Sequence, residues 1–188
     1  SQIYNILMKV DFGLNTIINN IEKLIDNIII DIENQFNDNN LFIDNIIKFY
    51  TKIVHIINKC MPDLSDTLDT GNISIIHSID KKYKSYTSKN ITLSGCKKTS
   101  FTSMFVYFLH YSIKKFRDNE INDDIVEDID GFMALFKIIS EKDLFLELYS
   151  EYLSKRLLFD KYNIDLEVFT INKLKDICGK NYTYKLEN

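Results

Sequence analysis

The chain has 188 residues, 45% hydrophobic and 27% charged, enough for one domain or two small ones around a real core, which excludes a disordered tail. Acids outnumber bases by 27 to 23, a net charge of −4, and no basic block is present to neutralise phosphates or anionic lipid, so nucleic acid and membrane surfaces are poor first candidates as partners. The longest apolar runs, such as Ile28-Ile29-Ile30, fall far short of the roughly 18 residues that cross a bilayer, and Cys60, Cys96 and Cys178 lie far apart without C-x-x-C spacing, as reduced thiols of an intracellular protein do.

Three residue types dominate: 30 Ile, 19 Asn and 21 Lys make up 70 of the 188 positions, against one Ala and two Arg. These amino acids have AT-rich codons, so the bias reflects the coding genome and Asn in particular carries little structural meaning. The sequons at Asn72, Asn90 and Asn181 are of the same kind, since chance alone gives about two in a chain so rich in Asn.

One proline (Pro62) and five glycines leave long stretches unbroken, and the apolar spacing within them is helical. Ile17, Ile18, Ile21, Leu24, Ile25, Ile28, Ile29, Ile32 and Phe36 form one stripe on a helix of about 20 residues, between breaks at Asp11–Leu14 and Asn37–Asn40. A second helix carries Ile43, Ile46, Ile47, Tyr50, Ile53, Val54 and Ile57 to a stop at Met61-Pro62, and residues 62–72 read as an exposed loop. A third runs from about Ile73 to Tyr86, followed by a polar stretch from Thr87 to Thr99. A fourth, about Ser100 to Arg117, is aromatic on one side through Phe101, Phe105, Phe108 and Tyr111. The next stripe is Ile121, Ile125, Ile129, Phe132, Phe136 and Ile139, with Glu120, Asp123 and Asp124 placed in its first turn. Ser140-Glu141-Lys142-Asp143 reads as a capped start for a helix whose apolar face holds Leu144, Phe145, Leu148, Tyr149, Tyr152, Leu153 and Leu157. A last helix, about Asp165 to Cys178, ends at Gly179, where a left-handed cap is expected. The reading is all-α, about seven helices, because period-two alternation is absent over any comparable length despite the β-branched composition.

No constellation for catalysis emerges. His55, His77 and His110 have no ligand partner at i+3 or i+4, and His110 reads as a core or boundary residue among aromatics. The acidic run Asp123, Asp124, Glu127, Asp128 and Asp130 lacks the glycine and alternation of a calcium loop and reads as a solvated helix face. Phosphate-cradling and nucleophile-elbow motifs are missing, and Cys60 and Cys178 sit at helix C-terminal ends, which disfavour a thiolate. The expectation is therefore no catalytic residue, no metal and no cofactor, and a rigid scaffold that holds other proteins.

FMALFKIISEKDLFLELYSEYLSKRLLFDK (Phe132 to Lys161) resembles the signature of cullins, an apolar helix with F-K-x-I, then D-K-D-x-F, a spaced Tyr and L-A-K-R-L-L. INKLKDICGKNYTYKLE (Ile171 to Glu187) is similar to the cullin pattern I-x-K-L-K-x-x-C-G-x-x-Y-T-x-K-L. Upstream, YNILMKVDFGLNTIINNIEKLI (Tyr4 to Ile25) is similar to the segment where one cullin helix ends and the next begins at a G-L pair; IIKFYTKIVHIINKC and ISIIHSIDKKYKSYTSKN resemble the two helices after it. Lys9 stands for the usual Arg, Ser154 for the Ala of A-K-R-L-L, and the loop at 62–72 is longer than usual.

The resemblance implies that residues 1–99 are the end of the last N-terminal cullin repeat and 100–188 the start of the C-terminal helical bundle, in an elongated all-α chain. Ser1 opens without Met and Asn188 stops just after the K-L pair, as in a piece of a longer chain. The implied function is the rigid, non-catalytic scaffold of a cullin-RING ubiquitin ligase, holding a substrate adaptor and a RING-box protein with its ubiquitin-conjugating enzyme apart, in the cytoplasm or nucleus. The adaptor-binding repeat, the RING-binding sheet and the modified lysine of the family would lie outside these residues, so Lys155 and Lys185 are not read as modification sites. Two other readings are a cullin-like subunit of another ligase, such as the anaphase-promoting complex, and a self-contained helical interaction module.

Overall fold

Twenty-three residues from Gly13 to Gln35 form the first helix, α1, whose one apolar stripe sends Ile25, Ile29 and Ile32 into the core. The computed structural model describes residues 13–60, 75–93, 97–159 and 162–187; the expected loop at 62–72, Cys96, and the N-terminal part of the Tyr4–Ile25 motif lie outside them. The Asn-rich break after α1 acts as a start signal. Asp38 Oδ1 accepts from the backbone N–H groups of Asn40 and Leu41, both at 2.9 Å, satisfying two of the free donors that open α2 (Asn39–Cys60). Helix α3 (Ile75–Thr87) packs on both and is tied to α1 by Tyr86 Oη donating to Glu33 at 2.6 Å, and to α2 by Tyr50 Oη donating to Asp80 at 2.8 Å.

The polar stretch after α3 is not wholly irregular. Asn90–Ile91 (β1) and Thr99–Ser100 (β2) pair antiparallel, with Asn90 opposite Ser100 and Ile91 opposite Thr99. Two residues per strand are too few for alternation to register in a sequence. Ser100 then caps α4 (Phe101–Lys115), its Oγ accepting from Ser103 N at 3.1 Å. Asn122 does the same for α5 (Asp123–Phe136), so Asp123 and Asp124 occupy the first turn as expected while Glu120 falls before the cap.

Helix α6 (Lys142–Phe159) begins two residues past Ser140, whose hydroxyl meets the Ser88 hydroxyl at 3.4 Å. Asn163 caps α7 (Ile164–Cys178) through its side-chain oxygen on Leu166 N, and Gly179 ends it at φ 85°, ψ 166°, a conformation open to glycine alone. An eighth helix, α8 (Lys180–Glu187), follows directly. With five of its eight residues polar or charged, it has too few apolar positions to announce itself; Leu186 anchors it, and Tyr182 Oη donates to the Lys142 carbonyl at 2.5 Å.

The all-α expectation holds, with the small β-pair and α8 as additions. Helix α2 is the bridge: it packs on α1 and α3 on one side and on α4 and α5 on the other, while α4 packs on α6, and α7 lies between α5 and α8. Ile47 of α2 approaches Gly131 of α5 so closely that a Cβ there would lie 3.3 Å from Ile47 Cγ2. One core runs from Ile25 in α1 to Leu186 in α8. Its aromatic centre stacks Phe105 on Phe132 with ring centroids 3.9 Å apart, flanked by Phe101 and Phe145. The stripe of α5 is buried from Ile125 onward, through Ile129, Phe132 and Phe136 to Ile139 beyond its end. In α4, by contrast, Tyr111 stands 48% exposed, because the helix turns Leu109 and Ile113 inward and carries position 111 to the open side.

Candidate functional site

The most concentrated polar chemistry in the described residues lies where α4, α6 and α7 meet. The α6 apolar face puts Tyr149 and Leu153 inside, and three residues on the same face brings Arg156 in with them, 1% exposed. The first turn of α7 supplies Glu167, equally buried beside Leu166. Arg156 Nε and Nη2 donate to the two carboxylate oxygens at 2.5 and 2.8 Å, a bidentate pair; Tyr149 Oη donates to Glu167 at 3.4 Å, and the guanidinium sits 5.4 Å from the Tyr149 ring. The remaining guanidinium arm, Nη1, reaches across to His110 Nδ1 of α4 at 3.0 Å. His110 stacks on Tyr152 at 4.5 Å, with Tyr107 beyond.

Burial works against the charge on Arg156, but the hydrogen bond and charge of Glu167 more than offset it, so the guanidinium is held above its ordinary value. Burial likewise drives the Tyr149 hydroxyl far up, reinforced by the Glu167 charge. A guanidinium that does not release its proton, a carboxylate engaged on both oxygens and an un-ionised phenol offer neither a base nor a nucleophile. What the arrangement does is clamp three helices. A buried ion pair is stabilising only when its partners and hydrogen bonds are all in place, which fixes the relative placement of α4, α6 and α7.

The other residues singled out in the sequence are dispersed. His55 and His77 are exposed on α2 and α3. Cys60 ends α2 and is exposed; Cys178 ends α7 half-buried, where burial pushes its thiol up against the opposing effect of Lys142. Tyr149 and Leu153 are buried and Tyr152 half-buried, but Leu157 is 40% exposed, a correction to the expected stripe: it borders an open groove against Ile164 and Val168 of α7. Lys155 lies on the surface with its ammonium 5.3 Å from the Tyr152 ring. The acidic residues of α5 are exposed on one side, with Asp130 paired to Lys173 of α7 at 2.6 Å. Among the described residues no group of three or more His, Cys, Asp and Glu is placed to hold a metal ion, and no helix is long and apolar enough to cross a membrane.

Neither Arg156 nor Glu167 was singled out as a functional residue in the sequence. The available signal was Arg156 itself, one of only two arginines, three residues after Leu153 and seven after Tyr149, hence on the buried face. Outside the clamp, the apolar surface of the described residues includes a groove between α1 and α2 lined by Ile17, Ile21, Leu24, Phe49, Ile53 and Ile56, a groove between α6 and α7 bordered by Leu157, Ile164 and Val168, and the end of α6, where Leu158 is 74% and Phe159 82% exposed.

A family model described as the cullin alpha solenoid domain matches residues 1–188. Cullin-1 of Dictyostelium discoideum is 25% identical over 194 aligned residues, covering 100% of this chain and 24% of that protein. Cullin-3 of Dictyostelium discoideum is 27% identical over 191, covering 99% of this chain and 23% of that protein. A shorter match, to cullin-4 of Dictyostelium discoideum, is 50% identical over 56 residues, 29% of this chain and 7% of that protein. The chain thus spans about a quarter of the length of the relatives that cover it.

Proposed function

The chain belongs to the cullin family, and we propose that it serves as a stiff segment in the scaffold of a cullin-RING ubiquitin ligase, holding a substrate adaptor and a RING-box module apart without itself transferring ubiquitin. Residues 1–99 are assigned to the end of an N-terminal helical repeat and residues 100–188 to the start of the following bundle. The observation that carries this reading is the single core running from α1 to α8 across that boundary, through α2, which packs on helices of both parts. A spacer acts by fixing geometry: holding substrate and charged enzyme in a set relation raises their effective concentration, and a joint that flexes dilutes it. Continuous helical cores supply that rigidity. The partners proposed are the adaptor and the RING-box protein, engaged through other parts of the scaffold, in the cytoplasm or nucleus.

The test is a reconstituted ligation reaction with the full-length scaffold, in which residues 13–187 are replaced by a Gly/Ser linker of equal reach. The expected result is retained capture of adaptor and RING-box protein, each alone, with substrate ubiquitylation reduced at least tenfold. Unchanged ubiquitylation refutes a role for stiffness.

A further inference from the structure

The bond between Arg156 and His110 has only one possible polarity. A guanidinium has five N–H donors and no acceptor, so at 3.0 Å His110 Nδ1 must present a lone pair, which requires the imidazole to be neutral with its proton on Nε2. Protonating Nδ1 abolishes that acceptor and sets a second cation against the guanidinium. From this geometry we infer that His110 is an acid-sensitive latch: neutral, it ties α4 to the α6–α7 pair through Arg156; protonated, it releases α4.

The charged and titratable groups around the ring bear this out. From α6 it faces Arg156 and Tyr152, and next to Tyr152 lie the Lys155 ammonium, 5.3 Å from the ring centroid, and Glu151, whose charge acts on the Tyr152 hydroxyl; from α7, Glu167 is engaged on both oxygens by Arg156. On α4 itself Tyr107 flanks the ring and Lys114 lies one turn on. The acids of α5, Glu127 and Asp128, gather with Phe108 and Ser112 around a different side of α4. The charge at hydrogen-bonding distance from Nδ1 is positive, and Glu167 is engaged by it on both oxygens. The folded chain binds fewer protons at His110 than the unfolded chain does, so this contribution to stability is full above the ordinary imidazole value of about 6.5 and is lost as pH falls below it.

The test uses the 188-residue chain. His110→Asn keeps an acceptor that cannot be protonated. Imidazole nitrogen NMR is expected to report His110 as the neutral Nε2–H tautomer at pH 5.5, where an ordinary imidazole is mostly charged. Between pH 7 and 5 the folded-to-unfolded ratio of wild type is expected to fall by about tenfold more than that of His110→Asn, one unit of pKa difference being a factor of ten. Amide exchange, corrected for its intrinsic pH dependence, is expected to accelerate in α4 with α1–α3 as the internal reference. An imidazolium at pH 5.5 in the folded chain overturns the latch, as do parallel pH profiles for wild type and His110→Asn. Where the variant does not fold, the wild-type NMR titration decides alone.

Discussion

Removing Arg156 while leaving Glu167 in place tests the clamp most severely. Arg156→Met retains most of the aliphatic volume but strips the Glu167 carboxylate, 1% exposed, of its 2.5 and 2.8 Å donors, leaving the 3.4 Å bond from Tyr149. A buried charge orphaned in this way costs about 3–5 kcal/mol. The double variant Arg156→Met, Glu167→Leu has no buried charge, and what it loses is the partner of Tyr149 Oη and of His110 Nδ1, roughly 1–3 kcal/mol for each group that stays buried. The double variant is therefore expected to be more stable than Arg156→Met alone, with a coupling of about 2 kcal/mol or more in the cycle completed by Glu167→Leu. Urea unfolding followed by far-UV circular dichroism reads this as midpoint shifts at constant slope. A loss below 1 kcal/mol for Arg156→Met, or additive single effects, refutes the clamp.

Three further outcomes follow from other parts of the fold. At Asp80, burial raises the carboxyl above its ordinary value against the opposing bond from Tyr50 and charge of His77, so the fold favours the protonated form; that contribution is complete below the ordinary carboxylate value and is lost as pH rises through the elevated one. Asp80→Asn, whose side-chain oxygen still accepts from Tyr50, is expected to gain stability relative to wild type on going from pH 3.5 to 7, as measured by thermal midpoints. Gly179→Ala is expected to cost about 1–3 kcal/mol, purely through the backbone, because nothing lies within 4 Å of the added methyl while φ stays at 85°; chemical denaturation measures it. At Gly131, alanine's advantage of about 1 kcal/mol in a helix meets an Ile47 contact at 3.3 Å and nearly cancels, whereas Gly131→Leu overpacks the α2–α5 crossing and lowers stability by about 1–3 kcal/mol in the same assay.

Which features were legible in the chain follows from how each helix meets its neighbours. Helices α1 and α5 show clear stripes because each turns one face to the core and another to solvent, so Ile25 and Ile129 announce themselves by spacing alone. Helix α6 is touched on two sides, by α4 and by α8, and its burial follows partners instead of a single face: Tyr149 goes in, Leu157 stays out. The helix opens at Lys142, inside the Ser140–Asp143 start signal, whereas the Ser140 hydroxyl accepts from Ser88, a contact 52 residues away in sequence that no local window contains. The same holds for the clamp. The Arg156–Glu167 pair spans only 11 positions, yet its members sit on different helices, α6 and α7, so it depends on how those two helices are placed. The spacing of Arg156 puts it on the buried face but does not name its partners, and His110, 46 positions away, was legible as a boundary residue but not as its acceptor.

Rigidity is the property on which the scaffold reading depends, and it is measured most directly by the distance between the two ends of the described fold. Spin labels at the exposed positions Asn20 on α1 and Tyr184 on α8, in a chain with its native cysteines replaced, report that separation by pulsed electron resonance. One core from α1 to α8 predicts a single narrow distance distribution, unchanged when adaptor and RING-box protein bind the full-length scaffold. A broad or two-peaked distribution in the folded chain contradicts it.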